Sequence, residues 1–514
     1  MSPGKPVPAV REVEHKFRVH GLFRIPDLSV ADTISTVEDH GTLELEAAYY
    51  DTSDLRLARE GMTLRRRTGG EDDGWHLKVP VSGIVGARDE LRLPLTAGVS
   101  GEPPADLLHT VRAVVRHSRI GLVATLRTTR TTLVLSVDSG HPAAELVDDT
   151  VSVVDGSGHV AARFRELELE ERDGTPPELV EQIAAALVAS GAVSGEFVSK
   201  AVRALGPRAT APPEVPEPDT VKPKDPARAA VQAYIATHTR ALRWADLAVR
   251  QDADDAVHQM RVAARRLRSG LRVFRPLLEA DWANALRDEL AWVASGLGGL
   301  RESEVLLGRL EGHLPDEAEA ARSLLRKELS DRLAAARSHA LEMLDSDRYL
   351  DLHDALVAAS ADPATTAAAE EPARDVLRPL VAGAWKRLAK RAKTLIADEA
   401  ATPEGAPDDE WHQTRIAAKR ARYAAEAVAP VLGSDAVAFA KQLSRVTEVL
   451  GDHQDAAQAA DLAEELAQDG EPAAAFSFGV LYSTERAFVA ATRLEFVALW
   501  PTVSRRKWRR WLDA

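Results

Sequence analysis

The chain divides into two parts with different patterns of hydrophobic and polar positions. Up to about residue 205, short segments alternate apolar and polar residues with a period of two, which is typical of β-strands. The predicted strands cover residues 12–19, 43–50, 63–67, 75–79, 89–95, 124–137, 144–147 and 164–171. Helical segments are predicted at 104–116 and 177–190, so we expect an antiparallel β domain with flanking helices.

The second part has helical periodicity and few strand signals. After residue 225, Ala, Leu, Arg and Glu dominate the sequence. Between the two parts, residues 206–225 contain repeated prolines, which exclude a helix or a central strand there. We therefore predict a β domain at 1–205, a Pro-rich linker at 206–225 and an all-α domain at 226–514.

The charged residues of several predicted strands share one face. The acidic runs are Glu12-x-Glu14-x-Lys16 in the first strand and Glu166-x-Glu168-x-Glu170 in the last. Cations recur at the same two-residue step in other strands, namely at Arg65, Arg67, His76, Lys78 and Arg92. Like charges on one strand face repel unless they meet cations or a metal. A closed eight-stranded barrel or tunnel, with a charged lumen and an apolar outer face, would satisfy this pattern.

A lumen of this kind is suited to a metal–polyphosphate complex. Carboxylates on one wall hold Mg²⁺ or Mn²⁺, and Arg and Lys on the other wall bind phosphoryl oxygens. A single alternating charged strand is usually a solvated sheet face. Two such runs from opposite ends of the domain, together with cations of matching parity, favour the enclosed site.

These motifs resemble the CYTH, or triphosphate tunnel metalloenzyme, superfamily. Besides the two glutamate runs, Leu64-Arg65-Arg66-Arg67, Trp75-x-Leu77-Lys78 and Ser199-Lys200 fit the same family. The resemblance covers residues 8–205. It implies an eight-stranded antiparallel tunnel that binds triphosphate-containing substrates together with a divalent metal, Mg²⁺ or Mn²⁺.

The resemblance also implies roles for individual residues. Catalytic roles fall to Glu12, Glu14, Lys16 and Glu168. The implied metal ligands are Glu12, Glu14, Asp149, Glu166, Glu168 and Glu170. The implied phosphate ligands are Lys16, Arg65, Arg67, Lys78, Arg127, Arg130 and Lys200. Two choices stay open, namely whether Arg127 or Arg130 faces the lumen and whether Asp148 or Asp149 is the acidic residue of the late strand.

The helical part contains an internal repeat. The segment from His258 to Arg268 matches the segment from His412 to Arg422, position by position. At about 100° per residue, the cations of each copy follow one helix face and small or apolar residues follow the opposite face. The cationic stripes consist of His258, Arg261, Arg265, Arg268 and Arg272 in the first copy and His412, Arg415, Lys419 and Arg422 in the second.

Two stripes that face each other would form a basic groove for a linear polyanion. We expect Lys386, Lys390 and Lys393 to extend it. A solvated amphipathic helix is the alternative explanation. Nucleic acid is an alternative ligand, which the scarcity of aromatic residues near the stripes disfavours. The repeat resembles the CHAD domain over about residues 226–514, and this resemblance implies polyphosphate binding.

Composition narrows the classes of function. The 514 residues include no cysteine, which excludes thiol catalysis, disulfides and thiolate metal sites. The net charge is −14 and both parts are acidic, so the chain is not a nucleic-acid binder by bulk electrostatics. No apolar stretch reaches the roughly 18 residues of a membrane helix, and residues 1–11 have no apolar signal core. We expect a soluble, cytoplasmic protein without a membrane partner.

Together these patterns predict metal-dependent hydrolysis of inorganic triphosphate or a short polyphosphate in the tunnel, with polyphosphate held by the helical domain. Other activities of the tunnel superfamily stay open: thiamine triphosphatase, nucleoside triphosphatase and adenylate cyclase, with Trp75 as a residue able to stack on an organic ring. A polyphosphate-binding scaffold with an inactive tunnel is the alternative outside the enzymes.

Overall fold

The structure, a computed structural model, describes residues 6–30, 34–81, 84, 86–137, 142–172, 174–195, 198–316, 318–401, 405–469 and 471–513. The chain forms two compact units, one ending at Glu214 and the other beginning at Val215. The first unit combines a closed sheet with short helices, and the second is helical. The predicted fold class is confirmed for both units.

In the described part of the first unit, nine antiparallel strands form one sheet. Their bounds are β1 Ala9–Val19, β2 Ile34–Asp51, β3 Thr63–Thr68, β4 Gly74–Pro80, β5 Ala87–Leu93, β6 Gly121–Val137, β7 Pro142–Val154, β8 Val160–Glu171 and β9 Val193–Ser194. Their order is β5-β4-β3-β2-β6-β7-β8-β1-β9, and β1 also pairs with β5. That last pairing closes β1 to β8 into a ring, while the two-residue β9 is added outside it on β1.

The ring has an apolar outer face because strand residues alternate between the two faces of the sheet. On β8, Leu167 and Leu169 are fully buried in a core that also contains Phe17 of β1. Leu179 and Ile183 of one helix complete this core. The residues that alternate with these leucines along β8 therefore point into the ring, where the charged runs meet.

Short helices surround the ring. Their bounds are α1 Arg56–Arg59, α2 Ala105–Thr110, α3 Arg112–Val115, α4 Pro177–Ala189 and α5 Lys200–Leu205. The helix α4 is the one that contributes Leu179 and Ile183 to the outer core. The helix α5 begins after Ser199, whose hydroxyl accepts a hydrogen bond from the Val202 N–H and caps the helix. Ala201 of α5 packs on Leu126 and Val151, which places Lys200 at the charged lumen.

The second unit consists of helices and short 3-10 turns. The helices are α6 Ala227–Arg250, α7 Ala256–Val273, α8 Ala280–Gly296, α9 Gly298–His313, α10 Glu319–Asp345, α11 Asp347–Ala361, α12 Ala373–Glu399, α13 Asp408–Leu432, α14 Ser434–Asp469 and α15 Pro472–Val503. None of the helices in the described part of the chain has the length and hydropathy of a membrane span.

The repeated sequence lies on α7 and α13, and each helix buries the face opposite its cations. On α7, Met260, Ala264 and Leu267 are at most 1% exposed. On α13, Ala418 and Ala421 are fully buried. Amphipathic periodicity thus aims both cationic stripes away from the core, as expected for a helix with one apolar face.

Candidate active site and basic groove

Strand register brings the two glutamate runs together inside the ring. In the β1–β8 pair, Glu14 lies opposite Glu170 and Lys16 lies opposite Glu168. The Lys16 ammonium contacts the Glu168 carboxylate and lies 3.3 Å from Glu14. Burial lowers the pKa of Lys16, but Glu168 and Glu14 outweigh burial and raise it above its ordinary value. Lys16 therefore stays charged in a closed lumen.

Three carboxylates converge next to this lysine. One oxygen each of Glu14, Glu168 and Glu170 lies within 4.8 Å of the others. Burial, and next the charge of Glu168, raise the pKa of Glu170. Hard oxygen ligands at this spacing fit Mg²⁺ or Mn²⁺, and a divalent cation would offset their mutual repulsion. The donor set therefore fits the metal that the sequence predicts, although it does not distinguish between the two ions.

A second group of charges lies where β6, β7 and β8 meet. Arg130 donates two hydrogen bonds to Asp149, at 2.9 and 2.7 Å, in the fork geometry of an arginine–carboxylate pair. The Lys200 ammonium lies 2.9 Å from Asp149, 2.6 Å from Glu168 and 3.2 Å from Glu166. Burial lowers the pKa of Lys200, but these carboxylates raise it well above its ordinary value. Asp149 and Glu166 are thus held by cations in this structure.

Glu90 of β5 organises a third group. It is fully buried and lies 3.1 Å from His76, 3.4 Å from Arg65 and 3.7 Å from Lys78, and it also contacts Arg92. Burial raises the pKa of Glu90, but the hydrogen bond from His76 and the charges of Lys78 and Arg65 lower it overall. Burial lowers the pKa of His76 to about 4, so this imidazole is neutral near neutral pH. One carboxylate thus holds three cations and one imidazole in place along β3, β4 and β5.

The remaining predicted lumen residues border these groups. Glu12 lies 2.5 Å from Lys78 and 2.6 Å from Arg92. Arg67 is buried and contacts Asp72. Burial, and then the charges of Arg65 and Arg130, lower the pKa of Arg67 to about 9. Crowded, buried guanidinium groups of this kind favour an anionic ligand.

The structure resolves the two choices that the sequence leaves open. Arg127 lies on the outer face, where its side chain is 55% exposed and bonds Glu46 at 3.0 Å. Residues 127 and 130 are three apart, so a regular strand puts them on opposite faces. We therefore remove Arg127 from the predicted phosphate ligands. Asp148 likewise points outward and bonds Arg165, whereas Asp149 points inward.

Trp75, which the sequence offers for stacking, lies outside the lumen. Its side chain is fully buried, and its ring centroid is 5.3 Å from that of Tyr50. Trp75 pairs with Arg66 in the β3–β4 register, and both belong to the parity opposite to Arg65 and His76. Trp75 is therefore part of the outer core and does not reach a ligand inside the ring.

In the helical unit, the cationic stripes of α7 and α13 meet. The Arg265 guanidinium lies 5.5 Å from the ring centroid of Tyr423 on α13. Burial, and then the charges of Arg415 and Arg265, lower the pKa of Lys419 to about 7. The same direction holds for Arg415, where burial is the largest cause. Cations from both copies thus share one partly buried surface, which we call the basic groove.

Several other stripe residues have polar partners within the helical unit. Arg261 donates to the Gly298 carbonyl at 3.0 Å, and the His412 imidazole lies 2.6 Å from Gln454. Arg422 bonds Glu426 at 2.6 Å. His258 is half-buried on α7. Glu426 occupies the place in the second copy that Arg272 has in the first. The two stripes therefore differ at their C-terminal ends.

Arginines from two further helices are close enough to affect cations of α7 and α13. Burial, and then Arg287 and Arg387, lower the pKa of Arg272. Burial, and then Arg272 and Arg387, lower the pKa of Arg420, with a further contribution from Arg391. Single-helix patterns did not identify Arg287, Arg387 or Arg391, because they do not show which helices pack beside the repeat. The spacing of Arg387 and Arg391, one helical turn, was the available signal.

Two of the three lysines of α12 that we expected to extend the groove lie at another site, and the position of Lys390 stays a prediction. Lys386 and Lys393 line a separate pocket with Trp385 and Trp500. The arginines at 387 and 391 lie about 100° and about 140° further round the helix from Lys386, and their charges act on Arg420 of α13.

Comparisons with known proteins agree with this architecture. A family model of the CYTH domain matches residues 10–201, and one of the CHAD domain matches residues 233–464. An uncharacterized protein of Mycobacterium tuberculosis (strain CDC 1551 / Oshkosh) is 35% identical over 498 residues, covering 92% of each chain. A protein of strain ATCC 25618 / H37Rv has the same identity and coverage.

The chain belongs to the family of CYTH–CHAD proteins. The CYTH domain marks a triphosphate tunnel metalloenzyme, a metal-dependent family of phosphatases and cyclases. Both recognised domains, and the order in which they occur, are those that the sequence motifs predict.

Two solved structures are similar to part of this chain. PptA from Streptomyces chartreusis is 29% identical, with a TM-score of 0.46, and the match covers 54% of this chain and 99% of that one. The CHAD domain from the plant Ricinus communis is 27% identical, with a TM-score of 0.45, and the match covers 58% of this chain and 95% of that one.

Proposed function

We propose that the CYTH domain hydrolyses inorganic triphosphate or a short polyphosphate with Mg²⁺ or Mn²⁺, and that the CHAD domain binds polyphosphate in its basic groove. The observation that carries the first half is the meeting of Glu14, Glu168 and Glu170 with buried cations inside one closed ring. Phosphoryl transfer needs charge neutralisation and a positioned water more than it needs covalent catalysis.

The phosphate-binding part of the site consists of lumen cations. Arg65, Arg67, Lys78, Arg130 and Lys200 donate from strands and a helix that surround the lumen. Their present partners are mainly lumen carboxylates, so an incoming phosphate exchanges one anionic partner for another. Such an exchange avoids leaving a buried charge unpaired, which would be costly.

The metal-binding part of the site is the carboxylate triad. Glu14, Glu168 and Glu170 would hold the divalent cation, and Lys16 beside them would donate to a phosphoryl oxygen. When bound, the cation supplies charge neutralisation at the phosphate oxygens. The carboxylates also offer acceptors that orient an attacking water in line with the scissile bond. Glu12, Asp149 and Glu166 support the cations around this centre.

Inorganic triphosphate is our first candidate because most side chains that meet inside the ring are charged. The same face also carries Tyr49, opposite Arg65, and the apolar residues Leu126 and Val151 near Lys200. Trp75, the residue that the sequence offered for stacking, belongs to the outer core. Thiamine triphosphatase, nucleoside triphosphatase and adenylate cyclase are therefore secondary candidates. The occupied acidic and cationic positions in the lumen disfavour a scaffold with an inactive tunnel.

The tunnel proposal is tested by phosphate release from tripolyphosphate, longer polyphosphate, ATP and thiamine triphosphate with Mg²⁺ or Mn²⁺. We expect tripolyphosphate to be the preferred substrate and Glu168→Gln to lower kcat/KM by roughly 10²- to 10³-fold. Glu171→Gln is the matched control. Glu171 lies three residues after Glu168 on the same strand and bonds His15 outside the lumen. If the wild type hydrolysed none of these substrates in a metal-dependent reaction, the result would support the scaffold instead.

The groove proposal is tested in the full chain. Replacing Arg261, Arg265, Arg415 and Lys419 by Ala is expected to weaken polyphosphate binding by more than about 100-fold. The control replaces the same number of arginines that pair with acids elsewhere in the unit, namely Arg326, Arg332, Arg337 and Arg348. Equal affinity of the two variants would show that binding is non-specific attraction to surface charge.

A further inference from the structure

A second cationic pocket lies in the helical unit, apart from the basic groove. It is formed by α12, the end of α15 and the 3-10 turns that follow, Arg506–Trp508 and Arg510–Leu512. Its volume is about 500 Å³. The side chains that define its chemistry are Trp385, Lys386, Lys393, Trp500, Ser504 and Arg509.

Helix geometry separates this pocket from the groove. Lys386 and Lys393 are seven residues apart, which is two helical turns, so they share one face of α12. Arg387 lies about 100° and Arg391 about 140° round the helix from Lys386, and their charges act on Arg420 of α13. The helix α12 thus presents lysines to one site and arginines to another.

Three cations meet in the pocket. The Arg509 guanidinium lies 5.6 Å from the ring centroid of Trp385, a cation–π distance. Its Nε is buried and has no hydrogen-bond partner within the described residues. Asp513 is the carboxylate on the pocket wall, and it lies 3.7 Å from Arg506. The balance of charge in the pocket is therefore positive, with a buried donor still to be satisfied.

The rest of the lining is mostly apolar, although Trp385 and Trp500 are only 6% and 9% exposed. The indoles of Trp385 and Trp500 are stacked with centroids 5.6 Å apart and an angle of 17°. Ala382, Ala389 and Leu512 complete this part of the lining. A cavity of about 500 Å³ with an apolar wall is larger than one phosphate group needs and lies within the range of sites for small organic ligands.

Further cations flank the pocket residues in the sequence of an otherwise acidic protein. Arg505, Arg506, Lys507 and Arg510 are exposed, close to the pocket in sequence. The chain as a whole has a net charge of −14. A local positive field of this kind raises the rate at which a small anion arrives.

We propose that this pocket binds an organic phosphate of nucleotide size. The phosphate groups lie among Lys386, Lys393 and Arg509, and the organic part lies against the indoles of Trp385 and Trp500. The site is independent of the tunnel and of the groove, so it stands whether or not the proposed function is correct. The apolar wall is what distinguishes this ligand from an inorganic polyphosphate.

The test is calorimetric titration of the full chain with ADP in a metal-free buffer, which prevents turnover in the tunnel. We expect saturable binding that the double variant Lys386→Ala/Lys393→Ala weakens by more than about tenfold. The matched control is Lys327→Ala/Lys390→Ala, which removes two exposed lysines that lie off the pocket. The groove variant with Arg261, Arg265, Arg415 and Lys419 replaced should bind ADP as the wild type does.

Three comparisons define the ligand class. Adenosine should bind much more weakly than ADP, because it lacks the phosphates, and pyrophosphate should bind more weakly than ADP, because it lacks the organic part. Pyrophosphate binding as tight as ADP binding would overturn the proposal in favour of an inorganic anion site. Absence of ADP binding would also overturn the proposal. So would binding to phosphatidylglycerol vesicles alone, if the double variant abolished that binding.

Discussion

At the scale of single residues, one strand face carries carboxylates in opposite electrostatic situations. Glu168 contacts Lys16 and Lys200, and although burial raises its pKa, these two cations lower it well below its ordinary value. Glu170, two residues further on, has a raised pKa because burial and Glu168 dominate its surroundings. Glu170 is therefore the carboxylate of the lumen triad that most lacks a cation.

This situation predicts an unusual response to Glu170→Gln. Removing one of three crowded negative charges should raise the melting temperature of the metal-free tunnel domain by a few degrees. Stabilisation by added Mg²⁺ or Mn²⁺ should largely disappear, because one ligand of the triad is lost. Thermal unfolding with and without metal measures both effects. Glu171→Gln, outside the lumen, should change neither, and an unchanged metal response in Glu170→Gln would contradict the triad as the metal site.

Lys419 predicts how polyphosphate binding depends on pH. Its pKa is lowered to about 7 by burial and then by Arg415 and Arg265. A bound polyanion favours the ammonium and raises that pKa, so binding takes up a proton above about pH 7. We expect affinity to be higher at about pH 7 than at about pH 9, by about tenfold if the bound polyanion raises the pKa of Lys419 by about one.

The matching experiment compares wild type with Lys419→Met. The variant should bind polyphosphate more weakly at about pH 7 and should lose most of the difference between the two pH values. Lys390→Met, which removes an exposed lysine of α12, should keep the wild-type dependence. A pH dependence unchanged in Lys419→Met would show that another group takes up the proton.

Residue positions also show where prediction from sequence stops. A two-residue step in a regular strand identifies Glu14, Glu168 and Arg65 as lumen residues, because parity alone decides their face. Arg127 and Arg130 have opposite parity, and the pattern of their strand does not say which parity faces inward. Only the pairing of β6 with Asp149 on β7 settles the choice.

At the scale of elements, the strand β8 joins the outer core to the lumen. Leu167 and Leu169 are fully buried against α4, while Glu166, Glu168 and Glu170, which alternate with them, point inward. The outward packing therefore determines the parity of the acidic face. A slip of one residue would exchange the two faces, which the buried leucines prevent.

Leu169→Ala tests this element. We expect the free energy of unfolding of the tunnel domain to fall by about 3 kcal/mol, the usual cost of a buried leucine. Val160→Ala on the same strand, where the side chain is 44% exposed, should cost far less. Denaturant unfolding measures both. An equal effect of the two substitutions would mean that the outer core does not pack as the structure shows.

The sequence predicts the faces of single helices better than it predicts how the helices pack together. Periodicity identifies the cationic and buried faces of α7 and α13, because each face lies within one helix. The contributions of Arg287 on α8 and of Arg387 on α12 depend on packing between distant segments. Sequence spacing carries no information about that packing, and for the same reason it assigned the lysines of α12 to the groove.

At the scale of the whole molecule, a basic groove is embedded in an acidic chain. The net charge of −14 repels polyanions at a distance, so binding depends on the local cluster of cations. We expect polyphosphate affinity to fall by more than about tenfold between roughly 50 mM and 200 mM NaCl. Replacing Arg261, Arg265, Arg415 and Lys419 should reduce the slope of log affinity against log salt, and an unchanged slope would place the ligand elsewhere.

The charged residues inside the closed ring are those that we propose to perform the hydrolysis. The most direct measurement is metal-dependent phosphate release from tripolyphosphate by Arg130→Gln and Arg127→Gln, two equal substitutions on β6 that differ in the face they alter. We predict that Arg130→Gln lowers kcat/KM by roughly 100-fold or more, while Arg127→Gln stays within about twofold of the wild type. Equal activities of the two folded variants, or a larger loss in Arg127→Gln, would contradict the account.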